Sequence, residues 1–358
     1  MNTYKRLDNI VDHVLKNGIP GCDCIVYKDG KCVYRRMAGY SDAENKIAIN
    51  GKERFNVYSA SKMITCVSAL MLYEKGCFAL EDNLCDYMPE FETMYVKTEN
   101  GIKKAENKIK IKDLFCMKAG FSYNLASPML MLCRKETDGR CPTRETMKYL
   151  AKEPLEFEPG TRWNYSLCHD VLAALVEVLS GKRFGEYIKE VIFKPLDMKN
   201  STFLLDDSEL NTVSQQYRFN TETQTAEPIE NTIHFKLGTE YESGGAGCVS
   251  TAEDFIKFLE ALRKGELLKD ETIELMTQNC LTDEQRKECF CHGDYGLGVR
   301  IGWDGYDTAN FGWGGAAGTY PVVDRIHNAT LIFTQHVLGT DNLYRDEEIS
   351  KFFTYDLD

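Results

Sequence analysis

Hydrophobic positions along the chain change period several times, and each change marks an element. Between residues 3 and 17 the apolar side chains Leu7, Ile10, Val11, Val14 and Leu15 recur every three or four positions, which predicts an amphipathic helix. Two strand-like runs follow, Cys24 to Lys28 and Cys32 to Ala38, and Asp29-Gly30 between them predicts the turn of a hairpin. A denser run, Met63, Ile64, Cys66, Val67, Ala69, Leu70, Met71 and Leu72, reads as a buried helix stopped by Gly76. From about residue 80 to 240 the pattern is mostly helical and loop-like, with helices expected over Arg144 to Lys152, Asp170 to Leu179 and Phe184 to Ile192. Beyond Gly244-Gly245 come helices over Ala252 to Lys264 and Asp270 to Gln278. Strands are then predicted at Tyr295 to Ile301, Asp307 to Gly312, Thr319 to Asp324 and Thr330 to Gln335.

Strands at both ends of the chain and helices between them predict an α/β (α+β) fold. Its single antiparallel sheet, flanked by helices, would be built from residues 1–80 and 240–358, with a mainly helical domain inserted over 81–239. The sequence shows no internal repeat and no low-complexity segment.

Composition narrows the functions available. A chain of 358 residues has ample capacity for a core, and a net charge of −12 argues against nucleic acid and anionic membrane surfaces as partners. No apolar stretch is long enough to span a bilayer, and the first ten residues lack a signal-peptide core, so a cytoplasmic location is expected. The 14 cysteines then read as reduced thiols, most of them small buried apolar residues. Cys22/Cys24 and Cys289/Cys291, the latter beside His292, are pairs with Cys-x-Cys spacing. That spacing suits a structural zinc poorly, and in a strand alternate residues share a face anyway, so no metal is assigned.

Candidate chemistry begins just ahead of the dense apolar run. Ser59-Ala60-Ser61-Lys62 is a Ser-x-x-Lys element opening that helix. Positions i and i+3 stack on one helix face, which sets the Lys62 ammonium beside the Ser59 hydroxyl. A serine hydroxyl is a weak nucleophile until a neighbouring base removes its proton, and backbone N–H groups at a helix start can receive a developing oxyanion. Residues 158–181 place Tyr165 on a loop between the turn at Pro159-Gly160 and an apolar helix ended by Gly181. Residues 311–320, Phe-Gly-Trp-Gly-Gly-Ala-Ala-Gly-Thr-Tyr, offer glycines that permit close backbone approach. There is no Gly-x-Ser-x-Gly element and no phosphate-cradling glycine loop.

With these blocks in order, the chain resembles the serine β-lactamase/penicillin-recognising superfamily. The likeness is to the branch of class C β-lactamases, D-aminopeptidase-like enzymes and, nearest, family VIII carboxylesterases. Further blocks carry it: Ile19-Pro20-Gly21, Leu80 to Leu84, Tyr87 to Phe91, Ile111 to Phe115, Ser243 to Gly247, Ser250 to Asp254 and Tyr295 to Gly298. The resemblance implies Ser59 as nucleophile, Lys62 and Tyr165 as a proton-shuttling pair, and the backbone N–H groups of Ser59 and Ala316 as oxyanion hole. It sets Trp313-Gly314-Gly315 in place of the family's Lys-Thr-Gly element, and Leu167 where a good β-lactamase carries the asparagine of its tyrosine element. Each loss, of a carboxylate-binding lysine and of an amide-binding asparagine, should cost about 1–3 kcal/mol of β-lactam recognition.

The expected activity is therefore that of a serine hydrolase working through an acyl-enzyme, a carboxylesterase on short- to medium-chain esters. Alternatives are an acyltransferase, a β-lactamase or D-amino-acid peptidase, and a catalytically silent binding protein. The partner is a small ester or amide, and no metal or organic cofactor is called for. Two alternatives stay open in the residues themselves. Trp313 can equally be a core aromatic, and the segments Ser122 to Cys133 and Tyr217 to Tyr241 can be cleft walls or core. His169 is expected on an exposed loop, and His292 and His336 have no motif around them.

Overall fold

The computed structural model of the chain describes residues 4–232 and 235–357. The two ends of the chain meet in one eight-stranded sheet, whose spatial order is Asp294–Tyr295, Arg300–Trp303, Tyr306–Gly312, Tyr320–Asp324, Ala329–Thr334, Gly21–Lys28, Lys31–Asp42 and Ile47–Ala48. Every neighbouring pair is antiparallel. At the centre Gly21–Lys28 lies against Ala329–Thr334, with Ile25 opposite Ile332.

Both central strands are buried on two faces, so their sequences are nearly continuous apolar runs. The period of two still sorts their side chains. Cys22, Cys24, Val26, Ala329, Leu331 and Phe333 face one apolar cluster, and Ile25 and Ile332 face another. The first cluster is closed by the amphipathic helix Lys5–Lys16, through Leu7, Ile10, Val11 and Val14, and by Leu343–Tyr355, through Ile349, Phe352 and Phe353. This geometry accounts for Cys22 and Cys24: they are i and i+2 of a central strand, pointing into a helix-covered core. Thr3, which begins the helix expected from the sequence, lies outside the described residues.

Helix Ala252–Arg263 packs on the other face of the sheet. The dense apolar run becomes helix Ser61–Glu74, buried almost all round and packed on helix Cys168–Ser180. A single contiguous cluster joins these two helices to Ile25, Phe311, Val323 and Ile332 of the sheet. The helical residues and the sheet thus share a core, and the catalytic candidates lie along that shared edge.

Some sequence expectations need correction. The strand predicted over Tyr295 to Ile301 is broken into Asp294–Tyr295 and Arg300–Trp303, which pair with each other. Gly298, at φ +84°, makes the reversal possible between them. The middle of the chain also holds two hairpins, Tyr95–Thr98 with Gly101–Lys104 and Gln216–Asn220 with Thr225–Ile229. The second is extended by Val337–Leu338, parallel to Gln216–Asn220. Its strands carry few large apolar groups, Tyr217, Phe219 and Ile229 among polar neighbours, so no strong period announces them. Residues 233 and 234 of the Tyr217 to Tyr241 segment lie outside the described residues.

Candidate active site

Ser59 sits in the single 3-10 turn Tyr58–Ala60 that leads directly into helix Ser61–Glu74. The residue before it, Tyr58, has φ +47°, a left-handed conformation that is costly for a bulky side chain. The surroundings hold it there. The Tyr58 ring is fully buried, its hydroxyl bonds Gln216 Oε1, and Phe235 meets it edge-on with ring centroids 5.6 Å apart. From the other side comes Gly315. A Cβ there would lie 2.1 Å from the carbonyl oxygen of Val57, so only glycine lets this segment approach the Ser59 turn.

Lys62 is wholly buried, and its ammonium donates to Gly245 O at 2.7 Å and to Ser59 Oγ at 3.2 Å. Tyr165 comes in from the loop before helix Cys168–Ser180, with Oη 2.5 Å from Ser59 Oγ. The Lys62 ammonium also stands over the Tyr165 ring, 4.5 Å from its centroid. Trp313 Nε1–H donates to Tyr165 Oη at 3.3 Å, and the two rings stack 5.7 Å apart. One hydroxyl, one ammonium, one phenol and one indole N–H therefore converge on two oxygen atoms.

Supporting groups fix this arrangement. Tyr123, from the segment expected to wall the cleft, stacks on Tyr165 at 5.4 Å. Burial drives its phenol well above the ordinary range, so it packs rather than titrates. Phe290 meets Tyr165 edge-on at 5.3 Å and is 59% exposed, the one large apolar group at the rim. Asp170 is buried and accepts from Ser243 Oγ at 2.6 Å and Tyr241 Oη at 2.9 Å. Its pKa is raised by desolvation, against the pull of the Ser243 bond and the Lys62 charge. Thr65 Oγ1–H donates to Gly244 O at 2.7 Å. The Ser243-to-Gly245 turn, tied to Asp170 and Thr65, thus presents the carbonyl that orients Lys62.

A cleft of about 310 Å³ opens over Ser59, lined by Tyr165, Phe290, Trp303, Trp313 and the Gly314-to-Ala316 turn, among others. Ala316 is exposed on the turn that links strands Tyr306–Gly312 and Tyr320–Asp324, and it lines the same cleft as Ser59. Trp313 is 5% exposed yet lines this cleft, so the sequence alternatives for it merge: it is packed into the core and also faces the cleft.

Two sequence expectations fail here. Leu167 is 2% exposed, caps the start of helix Cys168–Ser180 and belongs to the apolar core rather than the cleft wall. His169 is not on an exposed loop. It is fully buried in the first turn of that helix, with Nε2 3.3 Å from Phe115 O and 3.6 Å from Cys66 Sγ. Burial, then the Lys62 charge, lowers its pKa from 6.5 to about 3, which makes it a poor base. Both residues follow Tyr165 closely, but entry into a helix turns them inward. His336 is buried too, with Nδ1 2.8 Å from Ser214 O, while exposed His292 stacks on Trp303 at 5.3 Å. Cys289 and Cys291 bring their sulfurs within 2.9 Å, the Cys289 thiol raised and the Cys291 thiol lowered by the bond between them. Among the described residues no group of three or more His, Cys, Asp or Glu is arranged to hold a metal ion, and no helix is long and apolar enough to cross a membrane.

Phe290, Asp170, Arg300 and Trp303 join the site without having been expected there from the sequence, whereas Tyr123 lies in the Ser122 to Cys133 segment expected as a cleft wall. A faint signal existed for Asp170, a carboxylate at the start of an otherwise apolar helix. The others are brought in by tertiary contacts alone.

Comparison with known proteins agrees with this fold. The family described as Beta-lactamase matches residues 7–351. Esterase EstB of Burkholderia gladioli is 28% identical over 288 residues, 75% of this chain and 72% of its own. Among solved structures, EstCE1, described as a hydrolase with promiscuous acyltransferase activity, superposes with a TM-score of 0.81 at 23% identity, covering 98% of both chains. Simvastatin synthase LovD from Aspergillus terreus superposes with a TM-score of 0.81 at 21% identity, covering 99% of this chain and 98% of its own.

Proposed function

Because the chain belongs to the beta-lactamase family and is a serine hydrolase, we propose that it is a carboxylesterase acting on short- to medium-chain esters through an acyl-serine at Ser59. The observation that carries this reading is the position of Ser59 Oγ, 2.5 Å from Tyr165 Oη and 3.2 Å from Lys62 Nζ, on the floor of an aromatic cleft. Ser59 Oγ attacks the ester carbonyl carbon as its proton passes to the Tyr165/Lys62 pair. The oxyanion forms between the backbone N–H groups of Ser59 and Ala316. Collapse breaks the acyl–oxygen bond, and the pair returns the proton to the leaving alcohol. Water then adds to the acyl-serine by the same proton route and releases the acid.

The preference for esters over β-lactams rests on what the cleft lacks beside Ser59. Trp313 brings one neutral N–H donor where a lysine would bring charge, and that donor is already given to Tyr165. Leu167, in the core, offers no amide. Missing both partners disfavours a β-lactam by about 1–3 kcal/mol apiece.

Acyl transfer is the second reading, favoured by the likeness to EstCE1 and LovD. It differs only in whether an alcohol or amine replaces water at the acyl-serine. A panel of p-nitrophenyl esters of increasing chain length, with nitrocefin alongside and each run with and without alcohol acceptors, separates these readings. Fluorophosphonate labelling of wild type and Ser59→Ala tests the nucleophile. Wild-type protein that never labels would mean a cleft used for binding only, and a labelled Ser59→Ala would place the nucleophile elsewhere.

A further inference from the structure

Three arginines are buried to a similar degree: Arg263 at 8%, Arg300 at 4% and Arg345 at 3% exposure. Arg263 is neutralised by Glu260 at 2.8 Å and Arg345 by Asp346 at 2.7 Å. Arg300 has no such partner. Its Nη2 donates to the neutral amide oxygen of Asn310 at 3.1 Å, and its Nη1 has no hydrogen-bond partner. The guanidinium is otherwise packed between the rings of Trp303 and Tyr320, at 5.5 and 5.8 Å. A buried charge with one neutral partner and one empty donor is costly, and such a group in a native protein calls for a functional or structural account.

The position of Arg300 says which ligand. It lines the same cleft as Ser59, together with Trp303, Tyr320 and Asp346. Asp346 is the one carboxylate in that lining; Arg345 holds it at 2.7 Å and the Arg300 charge also acts on it, so one carboxylate faces two guanidiniums. The charge left unmatched in the cleft is therefore positive, inside a protein whose net charge is −12. The walls between Arg300 and Ser59 are aromatic and suit an apolar body.

We propose that Arg300 sets the specificity of this cleft by receiving a carboxylate at the end of the ester remote from the scissile bond. The substrate class is thus an ester with an apolar body and an anionic end, either a half-ester of a dicarboxylic acid or an ester of a carboxylated alcohol. The absence of a cation at Trp313 is then a relocation of charge to the neighbouring strand, where Arg300 lies opposite Gly312. This inference rests on the hydrolase reading above.

Two matched pairs test it. The first is p-nitrophenyl hydrogen glutarate against p-nitrophenyl glutaramate, with the charge on the acyl half. The second is 4-carboxyphenyl butyrate against 4-carbamoylphenyl butyrate, with the charge on the alcohol half. In one pair the wild type should favour the acid by about tenfold or more in kcat/KM, mainly through KM. Arg300→Met should bring that ratio to about one and Arg300→Lys should restore part of it, which a merely structural arginine would not do. No preference in either pair, or a preference that survives Arg300→Met, overturns the proposal, and the wild-type ratios alone decide if Arg300→Met does not fold. Failure of the hydrolase reading looks different: none of the four esters is turned over. Calorimetric binding of 4-phenylbutyrate against 4-phenylbutyramide to the wild-type protein then decides, tighter binding of the acid supporting the role of Arg300 and equal or weaker binding overturning it.

Discussion

Removing the Tyr165 hydroxyl asks the sharpest question of the catalytic group, because Ser59 has two candidate proton acceptors. In Tyr165→Phe the ring keeps its neighbours: Tyr123 at 5.4 Å, Trp313 at 5.7 Å and Phe290 at 5.3 Å between centroids. What disappears is the 2.5 Å contact to Ser59 Oγ and the acceptor for Trp313 Nε1–H at 3.3 Å. Leaving the buried indole N–H unpaired costs about 1–3 kcal/mol of stability. In a domain of this size that lowers the melting temperature by roughly 5 °C or less. The catalytic loss should be much larger. A positioned general base contributes about 10²- to 10⁴-fold, equivalent to about 3–5 kcal/mol of barrier. The assay is kcat/KM on p-nitrophenyl butyrate, with thermal melting as the control for folding and fluorophosphonate labelling as a readout of the nucleophile. A folded variant within about fivefold of wild type would refute the assignment, since Lys62, at 3.2 Å from Ser59 Oγ, would then suffice as base.

Three other perturbations have definite expected outcomes. Trp313→Lys removes the indole donor to Tyr165 and so should slow all substrates, but neutral esters should lose more than nitrocefin, whose carboxylate gains a partner; equal losses in a folded variant would mean that the ester preference is set elsewhere. Gly315→Ala would put a methyl 2.1 Å from Val57 O, so melting should fall by an amount equivalent to about 1–3 kcal/mol and esterase activity should fall with it; a melt and rate like wild type would show that the turn shifts freely. His169 is neutral when folded down to about pH 3 but titrates near 6.5 when unfolded, so between those values the unfolded state binds the extra proton and the stability due to His169 is lost as pH falls, being complete above about 6.5. The deficit in melting temperature of His169→Asn relative to wild type should therefore be largest at pH 8 and shrink toward pH 5, and a deficit independent of pH would contradict the buried neutral imidazole.

The antiparallel sheet and the three motif residues were readable from the chain because each leaves a local trace. Short apolar runs near both ends mark strands, Ser59 and Lys62 are i and i+3 ahead of an apolar run, and Tyr165 follows a Pro-Gly turn. The Tyr295 reversal, the Gln216–Ile229 hairpin and the depth of His169 and Leu167 left no such trace. A strand that pairs with its own continuation looks like one long strand until the partner is seen, and a helix start reads like a loop until something packs on it. The same limit applies to the site. Sequence spacing could place Lys62 beside Ser59 because one helix turn does so, whatever the rest of the chain does. Gly245 O for Lys62, Tyr123 and Phe290 around Tyr165, and Arg300 in the cleft lining with no carboxylate bonded to it come from segments far apart in sequence. Their meeting depends on how the sheet edge, the nucleophile helix and the Cys168–Ser180 helix pack. The sequence by itself determined the placing of Lys62 beside Ser59, which is local; only the tertiary structure decided what surrounds that pair, because burial and charge compensation belong to neighbours that the chain order does not name.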